Sequence, residues 1–187
     1  WCYFWIARIW GDAPLALTGY ESTGGDLYLP RAPKAEIFAR IESDLTEAER
    51  YVTDNSDKAV ATPAAVQMLK ADYALWMYRV AGGGSSYLTM AEKAIEALNL
   101  SASRLESDYA QVFSSANKLN KEVIFAFSCL TEDGSSIKIS NQFYSYNHPN
   151  KGSYNYRPAG DVMTMYADND LRKEVSITTL DNLNFVN

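Results

Sequence analysis

PAAVQMLKADYALWMYRVAGGGSSYLTMAEKAIEALN (Pro63–Asn99) decides the fold of this chain of 187 residues. It predicts two helices, Pro63–Ala81 and Ser86–Asn99, packed back to back across Gly82-Gly83-Gly84. Thr62-Pro63 is a start signal, because a hydroxyl at the N-cap accepts a free backbone N–H and proline tolerates the first helical position. In the first helix Ala65, Leu69, Trp76 and Val80 mark the predicted buried face, with Ala71 and Ala74 permitting close approach. The triple glycine ends it, and Ser85 or Ser86 is placed to cap the second helix. There Leu88, Ala91, Ile95 and Leu98 recur at helical spacing.

The ending Ala91-Glu92-Lys93-Ala94-Ile95-Glu96-Ala97-Leu98 is similar to the second helix of a tetratricopeptide-type hairpin. Helix starts elsewhere in the chain keep no strict period of ~34 residues, so degenerate repeats fit better than a regular array. Upstream, an aromatic helix closes at Gly11-Asp12-Ala13-Pro14, a loop holds Gly19, Gly24, Gly25, Pro30 and Pro33, and an amphipathic helix spans Lys34–Val52. Its apolar stripe is Ile37, Phe38, Ile41, Leu45, Ala48 and Val52, with Glu42, Asp44, Glu47 and Glu49 expected to face water. Downstream, Tyr109, Val112 and Phe113 suggest a short helix or turn. Glu122–Phe127 reads as a strand, Thr131–Tyr156 as one loop, and Gly160–Ala167 as a short helix. The last fifteen residues show no clear period. The expected fold class is therefore mainly α, with tetratricopeptide-like hairpins, a short strand region and long irregular loops. The expected organisation is one domain fragment over 1–187, with a helical scaffold in 1–100 and the strand, aromatic loop and short helix in 101–187.

Composition narrows function. Hydrophobic residues are 47% and charged residues 21%, enough for a full core. A net charge of −6 without a Lys/Arg cluster argues against nucleic acid as a partner. Cys2 and Cys129 stand outside any CxxC, and with His148 as the single histidine a Cys/His zinc site is close to excluded. Cys129, in an apolar run, reads as a buried free thiol. The chain opens without methionine inside Trp1-Cys2-Tyr3-Phe4-Trp5-Ile6-Ala7, so it reads as an excerpt of a longer protein entered mid-helix. Trp1, Trp5 and Trp10 lie on a helix apolar nearly all round and read as core, as do Tyr73, Trp76 and Tyr78.

Several matches, in order, then point one way. Ile9-Trp10-Gly11-Asp12-Ala13-Pro14-Leu15 is similar to an aromatic helix followed by a Phe-Gly-Asp-x-Pro-Leu turn. Pro30-Arg31-Ala32-Pro33 precedes Ile41-Glu42-Ser43-Asp44-Leu45-Thr46-Glu47-Ala48, and Ala59–Tyr78 is similar to an alanine-rich helix together with the turn that enters it. Tyr109-Ala110-Gln111-Val112-Phe113 resembles a Tyr-x-x-Leu-Phe signature, and Asn120-Lys121-Glu122-Val123-Ile124-Phe125 an Asn-x-Glu-Ile-Ile-Phe one. Arg157-Pro158 with Asp170-Leu171-Arg172 matches a later Arg-Pro…Asp-x-Arg pairing. Together these resemble the SusD/RagB family of outer-membrane lipoproteins. Ala59-Val60-Ala61-Thr62 departs from that pattern by lacking the family's Gly-Arg pair.

The resemblance implies a surface-exposed lipoprotein of the outer membrane that binds an oligosaccharide or starch-like polysaccharide without catalysis or cofactor. Its partner would be a SusC-like TonB-dependent transporter taking up the nutrient. No family motif transfers the sugar site, which must be argued from chemistry. Sugars present apolar C–H faces and rings of hydroxyls, so a binder needs exposed aromatic planes beside amide, carboxylate or guanidinium groups. Gln142, Phe143, Tyr144, Tyr146, Asn147, His148, Asn150, Tyr154, Asn155, Tyr156 and Arg157 supply that mixture within sixteen residues. The predicted site is Tyr144, Tyr146, Asn147, His148, Tyr154, Asn155 and Tyr156. The competing reading is a loop that buries its tyrosines against the helices or faces the transporter.

Other groups carry less chemistry. Asp168-Asn169-Asp170 lacks the further ligands and glycine of an EF-hand and reads as a helix-end turn with Asp170 near Arg172. Gly82-Gly83-Gly84 lacks the Gly-Lys-Ser/Thr ending of a phosphate loop, and Ser145 beside His148 shows no supporting signature of a triad. No catalytic or metal residue is expected. The alternative function is a tetratricopeptide-like protein–protein adaptor. A glycoside hydrolase would need paired carboxylates, and Glu132 and Asp133 at the loop's edge are the nearest acids.

Overall fold

The computed structural model describes residues 1–19, 28–128, 140–144, 146–147, 152–153, 155–180 and 183–186, with backbone only at 140–141, 178–180 and 183–186. The chain is mainly helical and divides into two compact units, Trp1–Leu100 and Ser101–Asn187. Cys129, Glu132 and Asp133 lie outside the described residues.

The first unit holds α1 (Cys2–Trp10), the two-residue strands β1 (Ala13–Pro14) and β2 (Arg31–Ala32), α2 (Lys34–Tyr51), α3 (Pro63–Arg79) and α4 (Ser86–Ala97). Thr62 caps α3 as its sequence requires, its Oγ1 accepting from Ala65 N at 3.2 Å. Ser85 holds the N-cap position of α4 without a side-chain bond. β1 and β2 pair antiparallel, Ala13 opposite Ala32, and Arg31 staples the turn by donating to the carbonyls of Asp12 at 2.8 Å and Trp10 at 3.2 Å. Asp12 Oδ1 in turn accepts the first N–H of α2, from Lys34, at 2.8 Å. Pro33 occupies the N-cap of α2 and offers no side-chain acceptor, so a residue twenty-two positions upstream of Lys34 supplies it.

The core gathers Phe4, Ala7, Ala13, Ile37, Ile41, Leu45, Tyr73 and Met77. Trp76 closes it edge-on against Phe4 and Phe38, at 5.9 and 5.6 Å between centroids. Three expectations need correction here. The buried face of α3 is Val66, Ala71, Tyr73, Ala74 and Met77, so Ala65 and Leu69 sit at its margin and Val80 is exposed. An α3 apolar nearly all round gives periodicity little to discriminate with. Likewise α4 buries Ala91 and Ala94, while Ile95 is exposed.

Second, Trp1, Trp5 and Trp10 are exposed, Trp10 at 63%. Phe4 and Ala7 fill the inward stripe of α1, leaving Trp1 and Trp5 to pair with each other at 6.2 Å and Arg8 to cover Trp5 at 4.7 Å. Tyr78 is exposed as well. Third, Glu42 does not simply face water. Its Oε1 accepts from the hydroxyls of Tyr73 at 2.9 Å and Tyr87 at 2.7 Å, joining α2, α3 and α4. Tyr73 is 0% exposed, so this carboxylate satisfies a phenol that water does not reach. Burial, then the bond to Glu42, raises the Tyr73 pKa, whereas for Tyr87 the bond to Glu42 comes first and burial second.

The second unit is built from short elements: α5 (Tyr109–Val112), α6 (Ser140–Phe143), α7 (Arg172–Ser176) and the antiparallel hairpin β3 (Ile177–Leu180) with β4 (Leu183–Val186). Buried Asn120 ties α5 to the backbone at Glu122: its Nδ2 donates to Val112 O at 2.9 Å and its Oδ1 accepts Glu122 N at 3.0 Å. The predicted strand Glu122–Phe127 does not form. A turn at Lys121–Glu122 and a bend at Ile124 lead into backbone that joins no ladder among the described residues. Phe125 and Phe127 pack edge-on at 5.2 Å instead. The strands form in the tail, whose sequence shows no clear period. Asp170 and Arg172 meet as expected, at 2.6 Å, and this guanidinium holds the Asp170 carboxyl at about 2.

Candidate functional site

The segment expected to be one uninterrupted loop contains α6, and α6 organises the aromatic surface. Gln142 anchors it twice. Its backbone oxygen accepts Tyr156 N at 3.1 Å, and its Oε1 accepts from Nδ2 of Asn155. Next to it, Phe143 sets its ring 5.9 Å from the Tyr156 ring at 39°. Two consecutive residues of α6 therefore hold two consecutive residues thirteen positions later.

Exposure sorts the predicted residues. Tyr156 is 63% exposed and Tyr146 73%, with Asn147, Asn155 and Arg157 also exposed. Tyr144 is half-buried, as are Gln142 and Phe143 beneath the exposed pair. The structure thus brings Asn155 and Tyr156 together on α6. Tyr146 and Asn147 lie on the turn beyond it. His148 and Tyr154 lie outside the described residues. Gln142 and Phe143 belong to the ring-and-amide composition of the segment but not to the predicted site. Their signal is pairing across thirteen positions, which no local pattern reports.

Chemically, the surface offers a wide apolar ring face on Tyr156, a second on Tyr146, and neutral amides beside them. Such a mixture suits a flat, hydroxyl-rich ligand better than an ion. A sizeable cleft in the first unit differs in kind. It has a volume of about 340 Å³, and Trp1, Tyr3, Phe4, Asp44, Val66 and Tyr73 are among the residues that line it. Among the described residues no three His, Cys, Asp or Glu side chains converge as a metal site.

No protein-family model matches the chain, and no curated protein matches it. Solved structures do. A SusD superfamily protein from Bacteroides fragilis superposes with a TM-score of 0.73 at 24% identity, covering 98% of this chain and 45% of that one. The chain shares the fold of that SusD superfamily protein. A protein solved with a xylogluco-oligosaccharide gives a TM-score of 0.74 at 22% identity, over 95% of this chain and 38% of its own. Surface glycan-binding protein A from Bacteroides uniformis gives 0.71 at 14% identity, over 98% and 41%. The chain spans less than half the length of each of these three proteins.

Proposed function

We propose that this SusD-like chain is part of a cell-surface protein that captures an oligosaccharide and does not cleave it. The sugar would rest on Tyr156 and Tyr146, with Asn147 and Asn155 as hydrogen-bond partners and Tyr144 at the margin. His148 and Tyr154 belong to the same proposal by sequence position. In this reading both units form one SusD-like domain fragment of an outer-membrane lipoprotein, which passes its glycan to a SusC-like TonB-dependent transporter. The observation that carries the reading is the exposed Tyr156 ring beside Asn155, both held from below by α6. The fold supports it, since two of the similar structures are a surface glycan-binding protein and a protein solved with a xylogluco-oligosaccharide.

Most glycoside hydrolases work with two carboxyl groups that flank the bond to be cleaved. Among the described residues 142–144, 146–147 and 155–157 there is no Asp or Glu, which supports capture without turnover. A panel of neutral oligosaccharides, including xyloglucan- and starch-derived ones, tests the reading. Saturable binding with the oligosaccharide recovered intact by chromatography is expected. Shortened products, or no binding to any member, would overturn it.

Exposed Met68, Leu75 and Tyr78 along α3 support a second reading, a helical adaptor that covers this face with a protein partner. Substituting Met68 and Leu75 by serine separates the two. Glycan affinity should be unchanged in the first reading, and partner binding lost in the second.

A further inference from the structure

The ring and amide offered to sugar are not independent side chains. Gln142 takes the backbone N–H of Tyr156 and the side-chain Nδ2 of Asn155, while Phe143 backs the Tyr156 ring at 5.9 Å. The half-buried pair thus fixes the exposed pair. An exposed tyrosine or asparagine normally samples several rotamers, and a ligand must freeze them on binding. Contacts already made in the free protein remove that cost in advance.

We infer that Gln142 and Phe143 are positioning residues that fix Tyr156 and Asn155 in one arrangement before a ligand arrives. The inference rests on the glycan reading for its ligand, and on the clasp between 142–143 and 155–156 for its physics. It predicts which atoms matter. Asn155 donates and Gln142 accepts, so a side chain at position 142 of similar length that still accepts will serve, and an apolar one will not. Gln142→Glu keeps the acceptor oxygen; Gln142→Leu keeps the bulk and loses it.

The test uses the full chain and the tightest-binding oligosaccharide of the panel. Gln142→Leu is expected to weaken binding about tenfold, and Gln142→Glu to stay within about twofold of the natural chain. In a Tyr156→Ala, Asn155→Ala background, Gln142→Leu should add nothing, since there is no ring or amide left to hold. Equal losses in the Leu and Glu variants, or an additive loss in that background, would overturn the inference. A second readout needs no ligand: proton NMR cross-peaks between the Phe143 and Tyr156 rings. They are expected in the natural chain and in Gln142→Glu, and weakened in Gln142→Leu. Their absence from the natural chain sinks the clasp even if glycans bind. A chain that shows them but binds no oligosaccharide instead sinks the glycan reading.

Discussion

Gly83 shows how much one missing Cβ decides. A Cβ there would meet the Tyr87 ring at 2.5 and 2.7 Å and the Met77 carbonyl at 3.1 Å, whereas one on Gly84 would meet nothing within 4 Å. Tyr87 reaches Glu42 across this glycine, so Gly83→Ala displaces the ring that holds α4 to α2. It should destabilise the chain by about 1–3 kcal/mol in urea, while Gly84→Ala should stay within about 0.5 kcal/mol of the natural chain. The same node sets an alkaline limit. Tyr73 and Tyr87 both have folded pKa values raised above the ordinary tyrosine range, by burial and by the Glu42 carboxylate. A raised pKa contributes stability that is complete below the unfolded value, about 10, and is lost as pH rises beyond it. Urea midpoints should therefore fall above about pH 10, and Tyr87→Phe should make that fall shallower. A slope identical in the variant would contradict the shared node. The glycine run is plain in the sequence. That its middle member touches a tyrosine bonded to Glu42, forty-five positions away from that tyrosine, is not, because a charged residue on an amphipathic helix reads as solvated.

Among elements, the ends are more legible than the faces. The sequence places α1, α2, α3 and α4 with starts and stops within about two residues, because Gly11, Thr62-Pro63 and the triple glycine punctuate the chain. Faces are misjudged where a helix is apolar on several sides, as α1 and α3 are, since burial is then allotted by neighbours and not by period. The strand error has a related cause. Val123–Phe127 has strand composition, but a strand needs a ladder, and the turn set by Asn120 delivers it to no partner among the described residues. Ile177, Thr178 and Thr179 carry a fair β signal that brevity conceals. One remote cap gives an element-scale prediction. Asp12→Ala removes the acceptor for Lys34 N and should cost about 1 kcal/mol, read as a lower urea midpoint with an unchanged m-value. No change would mean that water satisfies the start of α2 equally well.

For the molecule as a whole, the chain divides into a unit of helices, Trp1–Leu100, and a more irregular unit, Ser101–Asn187. The aromatic segment is legible as chemistry, because rings and amides at that density are uncommon in a connector. Its geometry is not, since Gln142 and Phe143 act through residues thirteen positions away. Among the described residues no helix is long and apolar enough to cross a membrane. The central claim is that exposed tyrosines of the second unit grip a sugar. Calorimetric titration of Tyr146→Ala, Tyr156→Ala in the full chain, against the oligosaccharide bound most tightly by the natural chain, tests it directly. A loss of at least about tenfold with an unchanged far-ultraviolet spectrum is the result expected. Undiminished affinity in a folded double variant would contradict it.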